Sequence, residues 1–114
     1  MKAAAHVLLL LVWLASAGLA EDRKVVRVLA ERFTFVPSRV KVKQGEVVEF
    51  RLRSDDTNHG FRVPEAGINV VIPKRGKGEI KVIFRAETKG RFSFECSKPC
   101  GAGHTMMRGV IEVE

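Results

Sequence analysis

Apolar and polar residues alternate with a period of two along most of the chain after residue 24. This alternation is typical of β-strands that bury one face and expose the other, and no window carries a helical period of useful length. The apolar positions that share a face are Val26, Val28 and Ala30; Val40 and Val42; Val48, Phe50 and Leu52; Ile80, Val82 and Phe84; and Phe92 and Phe94. We therefore predict half-buried strands at these segments, with polar residues such as Glu49 on the opposite face.

Turn-forming residues separate the predicted strands at residues 36–38, 44–45, 54–58, 73–78 and 89–90. Seven or eight short strands with turns at this spacing predict an all-β protein, an antiparallel β-sandwich whose two sheets pack their apolar faces together. The periodicity does not fix the order of the strands within each sheet.

The first twenty residues follow a different pattern. Lys2 precedes an apolar run and then a stretch of small residues that ends at Ala20. This is the pattern of an export signal, with Gly18 and Ala20 placed for cleavage after Ala20. An uncleaved membrane anchor is the alternative, because residues 3–20 as a helix would cover about 27 Å of a hydrocarbon layer about 30 Å thick. In either case residues 21–114 form one domain that is periplasmic or otherwise exported, and membrane association requires an uncleaved segment.

Residues 21–114 hold 19 basic and 13 acidic residues, a net charge of +6 with neutral histidines. The basic residues are scattered and often alternate with apolar ones, as in residues 39–43, which is typical of the solvated face of a sheet. A basic surface also speeds encounters with an acidic protein or an anionic membrane, so that interpretation stays open. Binding to nucleic acid is not expected of an exported chain without a basic helix.

Two thiols, an imidazole and a thioether lie within twelve residues, as Cys96, Cys100, His104 and Met107. The segment joins the predicted strands 90–95 and 108–113, so it forms a loop at one end of the sandwich. His59 follows a turn-rich segment and is expected to reach the same end. Thiolate and thioether suit cuprous copper, and imidazole binds both oxidation states. The sequence therefore predicts a copper site, with electron transfer as its leading function.

Three other sites would use part of this set. A disulfide is the default for two cysteines in an exported protein, but it needs neither His104 nor Met107. Zinc binds two cysteines and two histidines, and a structural zinc site needs no methionine. A blue copper centre takes one cysteine, two histidines and a methionine, which leaves one cysteine over. Two thiolates can instead bridge two copper ions, each of which takes one histidine.

The pattern Cys-x3-Cys-x3-His-x2-Met with an earlier histidine resembles the dinuclear CuA site of cytochrome c oxidase subunit II, which is also found in nitrous oxide reductase. The resemblance covers most of residues 31–114, including the segments 37–45 and 56–64 and the full ligand loop. It implies a cupredoxin-like Greek-key β-sandwich that holds two copper ions.

The resemblance also implies a set of six copper ligands: the bridging sulfurs of Cys96 and Cys100, the rings of His59 and His104, the thioether of Met107 and the backbone carbonyl of Lys98. The last two are weak axial ligands, one to each copper ion. Pro99 holds Lys98 in an extended conformation and so constrains the direction of its carbonyl. Met106 is expected to pack and not to bind metal. Asp56 and Asn58 are candidate hydrogen-bond partners for the ring of His59, or simply turn residues.

Three features depart from oxidase subunit II. That family usually has an acidic residue where this chain has Lys98, and it usually has membrane helices and an acidic docking face for a basic cytochrome. We therefore expect a free-standing electron carrier with no enzymatic activity of its own, whose partner is a cytochrome or an oxidase. Two alternatives remain: a periplasmic protein that binds and delivers copper for oxidase assembly, with a copper chaperone as a partner, and subunit II of a terminal oxidase, retained in the membrane by residues 3–20.

Overall fold

The computed structural model describes residues 23–114, so the predicted signal segment lies outside the described residues. Within 23–114 the chain forms nine strands and two short 3₁₀ turns. They are β1 Arg23–Glu31, β2 Thr34–Val36, β3 Arg39–Val42, β4 Val47–Ser54, β5 His59–Val63, a 3₁₀ turn Pro64–Ala66, β6 Ile68–Ile72, β7 Ile80–Arg85, β8 Gly90–Glu95, a 3₁₀ turn His104–Met106 and β9 Arg108–Val113. None of the helical segments in this part of the chain is long and apolar enough to cross a membrane.

The strands form a sandwich of two sheets, with the orders β2-β1-β4-β7 and β3-β9-β8-β5-β6. The predicted β-sandwich is therefore confirmed, but the sheets are mixed and not purely antiparallel. β1 pairs with β4 in parallel, and so does β3 with β9. The reason is the path of the chain, which leaves the first sheet after β2, returns along β3 in the second sheet and starts β4 from the same end as β1.

Aromatic side chains fill much of the space between the sheets. Five buried phenylalanines make a continuous series of ring contacts with centroids 5.1–6.4 Å apart: Phe35, Phe50, Phe61, Phe84 and Phe94. Tilted and edge-on ring pairs of this kind add to the stabilisation from burial alone. Because Phe61 lies two residues after His59 and Phe94 two residues before Cys96, this core fixes both strands that carry the candidate ligands.

Glu49 departs from the predicted alternation. It lies on the polar face of β4, yet only 8% of its surface is exposed. Arg51 donates a hydrogen bond of 2.9 Å to its carboxylate, and Arg23 lies 3.5 Å away on β1. The long arginine side chains cover the carboxylate, so this face of the first sheet is charged without leaving every charge exposed.

Candidate metal centre

Two neighbouring strands and one loop bring the candidate ligands to one end of the sandwich. His59 is the first residue of β5, and Cys96 directly follows the end of β8. The backbone N–H of Cys96 donates a 3.0 Å hydrogen bond to the carbonyl of Met107, just before β9. This bond closes residues 96–107 into a compact segment, here called the metal loop.

The two cysteines are free thiols, and each is only 5% exposed. Their sulfurs lie 3.7 Å apart, far beyond the length of about 2.05 Å of a disulfide bond. Nδ1 of His59 lies 3.9 Å from the sulfur of Cys96, and Nδ1 of His104 lies 3.6 Å from the sulfur of Cys100. One histidine therefore lies beside each sulfur, and the ligand atoms of His59, Cys96 and Cys100 all lie within 4.8 Å of one another. Two metal ions held between the sulfurs could each take one of the histidines.

A weaker donor also lies beside each sulfur. The thioether of Met107, which is fully buried, is 3.9 Å from the sulfur of Cys100. The backbone carbonyl of Lys98 is 3.1 Å from the sulfur of Cys96. The structure thus brings together all six groups that the sequence singled out.

Met106 occupies a different position from the one expected. Its side chain is 80% exposed, so the expectation that it packs in the interior is wrong. The 3₁₀ turn His104–Met106 ends at this point, and the chain then extends into β9. The extended residue Met107 turns into the core, and Met106 is left on the surface.

A carboxylate fixes the ring of His59. Nε2 of this fully buried ring lies 2.6 Å from Oδ1 of Asp56, and the other oxygen of Asp56 accepts a 2.8 Å bond from the backbone N–H of Arg32. Burial raises the pKa of Asp56, but the hydrogen bonds from Arg32, His59 and Thr57 outweigh it and hold the pKa below its ordinary value. An ionised Asp56 keeps the proton on Nε2, so the lone pair on Nδ1 faces the sulfurs.

Asn58 does not share this role. Its side-chain oxygen accepts a 2.7 Å hydrogen bond from the backbone N–H of Lys74, which ties two loops together. Of the two candidates for orienting the ring of His59, Asp56 makes the contact and Asn58 is a turn residue.

Replacing Asp56 with asparagine should loosen the hold on copper by about 10–100-fold, because the amide does not fix the ring of His59 as an ionised carboxylate does. The measurement is the transfer of copper from the loaded protein to a cuprous chelator. Asp55→Asn is the matched control, since it removes the neighbouring, exposed carboxylate. Equal copper retention in the two variants would show that Asp56 does not support the site.

Burial, together with the neighbouring thiol of Cys96, raises the pKa of Cys100 to about 11. The metal-free thiol therefore keeps its proton at neutral pH. A metal ion that binds as a thiolate complex must displace this proton, so binding at this sulfur tightens as the pH rises toward that value.

Two residues that contact and support the metal loop, Arg32 and Phe33, were not predicted from the sequence. The side chain of Arg32 donates a 2.8 Å hydrogen bond from Nε to the carbonyl of Cys100. The ring of Phe33 fills the space beside two loop glycines, and a Cβ added at Gly103 would lie 2.5 Å from it. Gly101 and Gly103 were the feature of the sequence that could have indicated this contact, because the tight packing leaves no room for a side chain at these positions.

Comparison with known proteins identifies the class to which this fold and site belong. The profile of the cupredoxin-like domain family matches residues 4–113, and the chain belongs to this family. Cytochrome c oxidase subunit 2 of Thermus thermophilus is 36% identical over 95 residues, which cover 82% of this chain and 67% of that protein. A second subunit 2 from the same species is also 36% identical and is covered over 54% of its length, so the chain spans only about half to two thirds of these relatives.

Solved structures agree with this assignment. A chain of a heme-copper terminal oxidase dimer superposes with a TM-score of 0.67 at 26% identity, covering 84% of this chain and 68% of that chain. The periplasmic domain of subunit II of cytochrome oxidase from Bradyrhizobium japonicum superposes with a TM-score of 0.72 at 16% identity, covering 80% of this chain and 83% of that one, and shares the fold. The chain is therefore a CuA-type cupredoxin domain related to oxidase subunit II, and its cofactor is a pair of copper ions.

Proposed function

We propose that the protein is an exported electron carrier that passes single electrons between redox proteins. The observation that carries the proposal is the pairing of two unbonded sulfurs, 3.7 Å apart, with one imidazole nitrogen each. A structural disulfide has no use for the two histidines. A structural zinc site could take both sulfurs and both histidines, but it has no use for the thioether of Met107, which lies 3.9 Å from the sulfur of Cys100.

In this proposal the sulfurs of Cys96 and Cys100 and the rings of His59 and His104 would hold two copper ions. The thioether of Met107 and the backbone carbonyl of Lys98 would be weaker donors to them. The donor set fits, because soft sulfur and borderline imidazole serve both oxidation states of copper. Two copper ions that share one electron through bridging thiolates change their bond lengths little on reduction, which keeps the barrier to electron transfer low.

The chain contributes rigidity and the exclusion of water. The sulfurs, the ring of His59 and the thioether of Met107 are buried, and the backbone N–H of Gly60 points at the sulfur of Cys96 at 3.4 Å. Among the side chains that serve as ligands, that of His104 is the one that is partly exposed. Electrons therefore have their shortest route to the surface through the ring of His104.

A second candidate is the electron-entry subunit of a terminal oxidase. The 36% identity to an oxidase subunit 2 favours it. The two candidates differ in where the protein is found, because a carrier is recovered from the soluble exported fraction and a subunit copurifies with an oxidase. A mature N-terminus at Glu21, read by mass spectrometry, would favour the carrier.

A maturation partner is compatible with either candidate. In one solved structure of the same fold, subunit II of cytochrome c oxidase forms a mixed disulfide intermediate with a thioredoxin-like protein. A partner of this kind would act on Cys96 and Cys100 before copper is loaded, since both must be free thiols to bind the metal.

Reconstitution of the purified protein with copper tests the proposed function. We expect two copper ions per chain, a seven-line electron paramagnetic resonance spectrum and repeated one-electron cycling without loss of metal. One copper per chain with a four-line spectrum would contradict the dinuclear site. Rapid loss of copper to a chelator during cycling would instead favour copper delivery over electron transfer.

Replacing Met107 with leucine should raise the reduction potential by tens of millivolts and leave both copper ions in place, because a weak axial donor tunes the potential more than it holds the metal. Voltammetry of the loaded protein measures the shift. Met106→Leu is the matched control, as it removes an exposed thioether next to it in the chain. Loss of one copper ion from the Met107 variant would mean that the thioether is a primary ligand.

A further inference from the structure

The metal centre lies beneath an opening at the surface. A cavity of about 240 Å³ reaches Cys96, His104 and Met107, and its rim includes Arg62 and Arg108. Both arginines are exposed. A partner that receives or donates an electron through His104 must therefore come close to these two cationic side chains.

The charges around this opening are mainly positive. The cationic groups at the metal loop are Arg62 and Arg108 on the rim, Lys98 within the loop and Arg32, which is bonded to the carbonyl of Cys100. Two carboxylates oppose them. Glu95 is already held by Arg62 at 2.5 Å, and Asp56 is turned toward His59. These four cationic and two anionic groups together carry a net charge of +2.

Next to the charged rim lies an exposed apolar area. Met106 is 80% exposed and Val36 is 51% exposed, and both line a groove of about 480 Å³. Arg108 lines this groove and also the cavity above the metal centre, so the two surfaces are continuous. Weak protein complexes commonly combine an apolar centre with a charged rim.

We propose that this surface, defined as Val36, Arg62, Met106 and Arg108 and called the docking face, binds an electron-transfer protein whose own contact surface is acidic. The inference rests on the proposed function. Opposite charges steer such partners together at rates well above those of neutral surfaces, and the apolar centre excludes water from the contact. One electron passes between the two redox centres, and no atom or proton is exchanged.

The test measures binding to the metal-free protein, so that it does not depend on the redox activity of the centre. An acidic c-type cytochrome and a basic one of similar size are titrated into the isotope-labelled protein, and the amide resonances are followed. We expect the acidic cytochrome to shift the amides of the metal loop and of Arg62, with an affinity that falls as salt is added. The basic cytochrome should bind at least several-fold more weakly.

Matched double variants separate the docking face from the net charge of the protein. Arg62→Gln with Arg108→Gln should weaken binding of the acidic cytochrome about tenfold at low salt. Lys43→Gln with Lys89→Gln removes the same charge from the other end of the sandwich, since residues 42 and 90 both pair with Val113 at the far end of β9. This control should leave the affinity within about twofold of the original. Met106→Gln should weaken binding without changing its dependence on salt.

Three results would overturn the inference: tighter binding of the basic cytochrome, resonance shifts confined to the far end of the sandwich, or equal weakening by the two double variants. Vesicles of phosphatidylglycerol that shift the same amides more strongly than the acidic cytochrome would also overturn it, in favour of a membrane surface. Failure of the proposed function would give a different result. The copper-loaded protein would then lack the seven-line spectrum, while binding of the acidic cytochrome to the metal-free protein would be unchanged.

Discussion

Replacing Cys100 with serine should reduce copper binding from two ions per chain to at most one and should abolish the seven-line spectrum. The sulfur of Cys100 lies within 3.9 Å of three other donors, those of Cys96, His104 and Met107. A serine hydroxyl is a hard donor that stays protonated at neutral pH, so it does not bridge two copper ions. Metal analysis and electron paramagnetic resonance of the reconstituted variant measure both effects.

The control for this variant is the fold of the metal-free protein. Cysteine and serine differ by one atom, and the metal loop keeps its backbone hydrogen bonds, so the metal-free variant should melt within a few degrees of the original. Ser97→Ala, a substitution between the two cysteines, should leave the copper content unchanged. A Cys100 variant that still holds two copper ions and shows the seven-line spectrum would contradict the bridging role.

The strands that flank the metal loop were predictable from local sequence. β8 has the predicted bounds of 90–95 because apolar and polar residues alternate along it. β9 has the predicted bounds of 108–113 although Val110 and Ile111 interrupt the alternation. β6 was not predicted, since Ile68–Ile72 reads as a short, mostly apolar segment without alternation. It becomes a strand through its pairing with β5, where Ile72 lies opposite His59. Such pairing is not visible in the sequence of either segment alone.

The candidate ligands could be predicted from the sequence because most of them are close together in it. Five of the six lie within twelve residues, and the sixth, His59, is the remaining histidine outside the first twenty residues. The supports of the metal loop could not be predicted in this way, because Arg32 and Phe33 lie more than sixty residues before it. They come from the turn between β1 and β2, and their contact with the loop exists only after both sheets have formed.

Lys98 has a backbone carbonyl beside the metal site and a cationic side chain that the site does not use. In the proposed ligand set the metal depends on the carbonyl of this residue, whose direction Pro99 constrains, and not on the side chain. The side chain at position 98 is therefore free to set the charge presented to a partner. A cationic residue between the two cysteines in the sequence fits a carrier whose partner is acidic.

Replacing Gly60 with alanine should destabilise the protein and disrupt copper binding together. Gly60 is the second residue of β5, and a Cβ at this position would contact the hydroxyl of Ser97 and lie 2.6 Å from its backbone nitrogen and 2.7 Å from that of Lys98. These backbone atoms belong to the metal loop, which would have to move by about 1 Å to reach normal contact distances. Overpacking of this kind costs about 1–3 kcal/mol in the free energy of unfolding. Denaturant unfolding of the metal-free protein and the copper content after reconstitution measure the two effects.

A second substitution locates the clash. Ser97→Ala removes the hydroxyl that the new Cβ would meet but leaves both backbone nitrogens in place, so adding it to the Gly60 variant should restore only part of the stability and copper content. Ser97→Ala alone loses a 2.8 Å hydrogen bond to Asn69 at the surface and should bind copper normally. Full recovery in the double variant would show that only the serine side chain is crowded, and that β5 does not set the position of the loop backbone. Partial recovery is the expected result, because contact between β5 and the metal loop backbone is what holds His59 and Cys96 at a fixed separation.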